Sequence, residues 1–123
     1  MGRDDGLDVR TKRVYEEPAP EDGFRVLVDR LWPRGVSRER AALDLWLRDL
    51  GPSHELRRWF GHDPDRWDGF RERYRVELDG KPDLVGRLRR RLAEGRVTLL
   101  YSARDERHNQ AVALASYLRE GPA

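Results

Sequence analysis

The chain contains no cysteine. That absence removes disulfide scaffolds, thiol nucleophiles, thiolate zinc sites and iron–sulfur clusters, and it accords with a reducing compartment. Lysine is nearly missing as well: it occurs only at 12 and 81, so 23 of the 25 cationic residues are Arg. Guanidinium groups stay protonated, which gives a pI near 9.3 although the formal net charge is only +2. Such balance weakens a nucleic-acid reading. No apolar run approaches the roughly 18 residues of a membrane span, and Met1 to Gly6 offers no apolar signal region. Myristoylation fails because Gly6 stands where that motif requires Ser or Thr. The expectation is a cytoplasmic protein with no membrane partner. Neither Gly-x-Gly-x-x-Gly nor Gly-x-x-x-x-Gly-Lys-Ser/Thr occurs, so the standard nucleotide folds lose their signature and no cofactor is implied.

What remains is charge and aromatic surface. Charged residues make up 39% and hydrophobic residues 37% of 123 positions, an apolar-poor balance that four Trp, four Tyr and three Phe offset. The length suits one domain with a core of its own. Residues 1–8 are polar and read as a flexible N-terminus; residues 9–120 read as a single α/β domain.

Val9 to Tyr15 forms a weak first strand, and Glu16 to Gly23, with Pro18 and Pro20, a loop. Phe24 to Asp29 is a stronger strand centred on Val26-Leu27-Val28. Pro33 and Gly35 then turn the chain away from the sheet. Leu43, Trp46, Leu47 and Leu50 follow the i, i+3, i+4, i+7 spacing of an amphipathic helix closed by Gly51-Pro52. Ser53 caps a short helix bearing Leu56, Trp59 and Phe60. Asp63-Pro64 opens a further helix with Trp67, Phe70, Tyr74 and Leu78 inward, and Leu84, Val85, Leu88 and Leu92 mark the next, closed by Gly95. Val97 to Tyr101 is a second clear strand. Ser102 with Asp105 resembles a capping box, and Ala111, Leu114, Ala115 and Leu118 are the inward face of the last helix. The fold class is therefore α/β, a small, mainly parallel three-stranded sheet packed by about five helices.

Parallel pairing through right-handed crossovers points the strand ends the same way. Asp29, Arg30, Trp32 and Arg34 should then face Ser102, Arg104, Asp105, His108 and Asn109, in the crevice where open α/β sheets bind ligands. Arg30, Arg34 and Arg104 could bind phosphate or carboxylate beside a helix N-terminus, or serve as ordinary surface cations. His108 reads as an acid/base candidate or as a satisfied semi-buried imidazole. Asn109 binds a ligand or caps the first turn, and Trp32 is free to stack on a ring. Ser102 is better read as a cap, since no Gly-x-Ser-x-Gly elbow surrounds it. His62 and Asp63 form a possible second wall. Together with His108 they match no metal-ligand spacing, Asp63 is explained as a helix cap, and no metal is assigned.

Three blocks, Arg25 to Gly35, Trp59 to Pro64 and Leu99 to Ala111, with the Lys12-Arg13-Val14-Tyr15 start, resemble the YeaO-like branch of the domain-of-unknown-function family 488. The resemblance runs from about Val9 to Leu118 and implies a bacterial or archaeal cytosolic α/β domain without an assigned reaction. Longer relatives bear Cys and His residues in the last junction. This sequence has Tyr101 and Asn109 there, so a cysteine mechanism does not carry over.

The leading expectation is a site for a small anionic ligand, phosphorylated or nucleotide-like, with hydrolase or transferase chemistry as an option. In it Arg30 and Arg34 hold the anion, His108 moves the proton, and Asp29 and Asp105 orient partners. The alternatives are a nucleic-acid-binding module using the Arg-rich surface at Arg87 to Arg91, and a partner-binding accessory domain.

Overall fold

The computed structural model describes residues 7–121. The expected flexible start lies outside these up to residue 6; Asp8 accepts the Val97 amide and pairs with Arg96 at 2.8 Å. Four strands form the sheet: β1 (Val9–Arg13), β2 (Phe24–Leu27), β3 (Leu45–Trp46) and β4 (Val97–Tyr101). Their order is β1-β4-β2-β3 and every pairing is parallel. The three expected strands are present, and β3 is a fourth that corrects the expected count.

The helices are α1 (Arg38–Ala41), α2 (His54–Phe60), α3 (Trp67–Asp79), α4 (Pro82–Glu94) and α5 (Gln110–Glu120), with single 3-10 turns at Pro20–Asp22, Arg48–Leu50 and Pro64–Arg66. The helix expected over Leu43 to Leu50 is not formed. Leu45 and Trp46 pair with Val26 and Leu27 instead, and the chain places Leu45 and Leu47 on one face of the sheet and Trp46 on the other. That is the two-residue alternation of a strand. Asp44 fixes the register by accepting the Arg25 amide at 2.8 Å.

β4 is buried along its whole length. Val97, Leu99 and Tyr101 enter the larger core with Val26, Phe70, Tyr74, Leu88 and Leu114, beneath α2 to α5. Leu27 and Leu100 face the other way, against Val14, Val36 and Ala41. Full burial of each such side chain contributes about 1.5–3 kcal/mol.

The smaller face also carries a buried ionic cluster. Asp22 accepts from Arg25 Nη1 at 2.5 Å, Lys12 Nζ at 3.1 Å and the Ala19 amide at 3.0 Å. Arg25 spends its other donors on the carbonyls of Ala41 and Ala42, at 2.7 and 3.0 Å, which ties α1 to the sheet.

Candidate functional site

The C-terminal ends of β1, β2 and β4 open into a cavity of about 660 Å³ lined by residues from all three strand-following loops. Of the residues expected to share the crevice, Asp29, Arg30, Trp32 and Arg34 line this cavity together with Ser102, Arg104 and Asp105, and His62 lines it as well. A second cavity of about 240 Å³ adjoins it and holds His108 and Asn109. Pro52, Arg57, His62, Ala103 and Gln110 border both. The predicted acid/base thus sits beside the smaller space, and Asp63 lines neither.

Asp29 is the floor. It directly follows Val28, whose amide donates to the Leu100 carbonyl of β4, and is only 7% exposed. Its carboxylate accepts the Ser102 amide at 3.1 Å and the Gln110 carboxamide. Burial pushes the Asp29 carboxyl above its ordinary range, against the hydrogen bonds from Ser102 and Gln110 and the nearby Arg57 guanidinium. This carboxyl locks the β2 loop to the start of α5, so it positions the site.

Arg30 is committed to structure. Its guanidinium donates to the carbonyls of Gly51 and Pro52, at 2.8 and 3.1 Å, in a loop so close that a Cβ on Gly51 would lie 3.1 Å from the Arg30 amide. Trp32 lines the large cavity while its indole donates to the Val36 carbonyl at 2.6 Å and packs edge-on to Trp46. Arg34, Arg57 and Arg104 also line the cavity, and their guanidiniums make no hydrogen bond or ion pair among the described residues.

The junction after β4 departs from the expected capping. Residues 102–109 are a loop, and α5 begins at Gln110 with Asn109 as its cap, accepting the Val112 amide at 3.0 Å. Asn109 is buried, and its amide group donates to the Asp105 carbonyl at 2.9 Å. Of its two readings, the side chain takes the capping one and acts as a structural clamp. Asp105 accepts the amides of Arg107 and His108 at 2.9 and 3.0 Å and touches His108 Nδ1 at 2.9 Å. The Arg107 amide first, then His108, holds the Asp105 carboxyl below the usual aspartate range. With Asp105 against Nδ1, Nε2 is the ring nitrogen of His108 left for another partner. The imidazole also stands edge-on to Trp67, 5.3 Å between centroids.

His62 borders both cavities from a left-handed backbone conformation, φ 57°, directly after Gly61 at φ 54°. This pair turns the chain from α2 toward the cavities. Asp63 instead accepts the Asp65 amide at 3.0 Å, as the helix cap expected of it. Among the described residues no group of three or more His, Cys, Asp or Glu could hold a metal ion. No helix of the described residues is long and apolar enough to cross a membrane.

Sequence reasoning missed Arg57 and Gln110. Arg57 is one Arg among 23 with no local pattern to single it out. Gln110 was missed because the helix start that aims its side chain at Asp29 lies later than capping by Ser102 or Asp105 would set it.

A family model described as the inactive DUF488-N3 subclade matches residues 8–122. The uncharacterized protein YeaO of Escherichia coli is 41% identical over 113 residues, covering 92% of this chain and 98% of the relative. Uncharacterized proteins of Mycobacterium tuberculosis and Mycobacterium bovis are each 41% identical over 110 residues, 89% of this chain and 92% of their own. No solved structure matches the chain at a significant level.

Proposed function

The chain belongs to the inactive DUF488-N3 subclade, on its YeaO-like side, and from that premise we propose that it binds a small anionic ligand at the C-terminal ends of β1, β2 and β4. One observation carries the reading: Arg34, Arg57 and Arg104 converge on a single cavity of about 660 Å³ with no hydrogen bond or ion pair to their guanidiniums among the described residues. The two acids of that cavity are occupied, Asp29 by Ser102 and Gln110 and Asp105 by its own loop. A charge-assisted hydrogen bond contributes about 1.5–3 kcal/mol, so two or three guanidiniums suffice for a phosphate or carboxylate. The ligand class is phosphorylated or otherwise anionic. The description of the family as inactive favours binding over turnover.

Inorganic phosphate and a panel of phosphorylated small molecules, followed by thermal shift, test this. A ligand at about a hundred times its Kd adds about 2.7 kcal/mol of stability, and Arg34→Ala or Arg57→Ala should remove the gain. A hit equally strong in both variants refutes the site. The nucleic-acid alternative is checked alongside, because binding that falls steeply with salt marks counterion release. The Arg87 to Arg91 surface is partly committed: Arg89 donates to the Leu118 carbonyl and Arg91 pairs with Glu94 while lying over Phe24.

A further inference from the structure

The smaller cavity differs in chemistry from the larger one. Among the described residues no carboxylate lines it. Phe60 and Phe70, stacked with centroids 4.4 Å apart, form its apolar back. His54, His62 and His108 rim it, and Arg57 stands between it and the large cavity. Arg58 Nη2 lies 2.7 Å from His54 Nε2 on the exposed rim. Flat, polarizable walls beside a cation suit a π-system: aromatic rings pack edge-on or offset against rings, and a guanidinium is attracted to a ring face. An aliphatic sugar phosphate would gain little from this lining, and a cationic group would meet only like charge.

We propose that the anion recognised in the large cavity is carried on a flat aromatic ring that occupies the smaller one. This rests on the anion-binding reading above and narrows its ligand class to aryl or nucleobase-bearing anions. Arg57 then touches both halves of the ligand, and His108 Nε2 with the Gln110 carboxamide reads the polar edge of the ring. Asp105 is a positioning residue here, holding His108 through Nδ1.

The test compares four probes by calorimetry: inorganic phosphate, ribose 5-phosphate, phenyl phosphate and adenosine monophosphate. The two aromatic phosphates should bind at least about tenfold tighter than the other two, which is about 1.4 kcal/mol. Between them, a clear preference for the nucleotide identifies a nucleobase, and parity identifies a generic aryl group; either agrees with the proposal. Phenyl phosphate should also shift the ring-proton resonances of His108, whereas inorganic phosphate should not. His54→Trp, which fills the rim from an exposed position on α2, should erase the aromatic preference. Should phosphate bind with no gain from the ring, the aromatic subsite falls while the anion site stands. Tighter aromatic binding without a His108 shift overturns the placement. If none of the four binds, both readings fall together.

Discussion

Asp22→Asn probes the buried cluster that fastens α1 to the sheet. The substitution keeps size and removes charge, leaving Arg25, only 5% exposed, and Lys12 without their shared counter-ion. Breaking a buried pair by removing one partner costs about 3–5 kcal/mol, against a total stability on the order of 5–15 kcal/mol for a domain. For a chain of this size the corresponding fall in Tm is roughly 10–20 °C. Urea denaturation followed by far-ultraviolet circular dichroism measures it, with an unchanged m-value showing that only stability moved. A second arm uses pH. Burial tends to raise the Asp22 carboxyl, but the Ala19 amide, Lys12 and Arg25 together hold it lowered. A carboxyl lowered by folding contributes stability above the ordinary value of about 3.8, and loses it as pH falls through the folded value. The gap between wild type and variant should therefore be widest near neutrality and close in acid. A loss under about 1 kcal/mol, the range of an exposed pair, or a gap that stays constant into acid, would refute the reasoning.

Tyr74→Phe removes a buried hydroxyl that donates to the Leu50 carbonyl at 2.7 Å. About 1–3 kcal/mol should be lost, and an unmoved urea midpoint would count against it. Asp29 has the opposite pH sign to Asp22: burial raises its folded value, so its contribution is present below about 3.8 and is lost as pH rises through that raised value. Melting curves between about pH 4 and 7 should accordingly decline less toward neutrality in Asp29→Asn than in wild type, and equal slopes would contradict this assignment. His62→Gly relieves a left-handed residue at φ 57° and should stabilise the protein by roughly 0.5–1 kcal/mol; a destabilised variant would mean that the imidazole's contacts outweigh the backbone strain.

Strong local signals made most of the architecture legible. Val97 to Tyr101 is apolar and β-branched in character, and Ser53 caps α2 by accepting the Leu56 amide at 3.1 Å. Asp63-Pro64 opened its helical segment as its chemistry requires. The stretch from Leu43 to Leu50 misled because its apolar spacing fits one helix face equally well. What decides it is non-local: β2 exposes an unpaired edge at Val26 and Leu27, and Arg25 offers an amide to Asp44, neither of which periodicity sees. The pairing of the Asp29 loop with the Ser102 loop followed from strand direction alone. The division into two cavities did not, because it depends on where α5 starts. Ser102 and Asp105 both carry capping chemistry, yet Asn109 takes that role and leaves His108 in the loop before the helix.

The strand order has a consequence for how the chain comes to be folded. β4 lies between β1 and β2, so residue 9 and residue 24 both find their sheet partner at residue 97. On the ribosome β1 emerges without a partner and β2 with only the two-residue β3 beside it, and β1 and β2 do not bond each other. The helices between can form as they appear, but the share of the core that β4 and α5 supply, Val97, Leu99, Tyr101 and Leu114, is made after them. Closure of the sheet thus waits until β4 has been synthesised, and pairing over such distance is slow. A nascent chain stopped short of residue 97 exposes bare strand edges and aromatic faces, the kind of surface that holdase chaperones bind and that aggregates when they are absent.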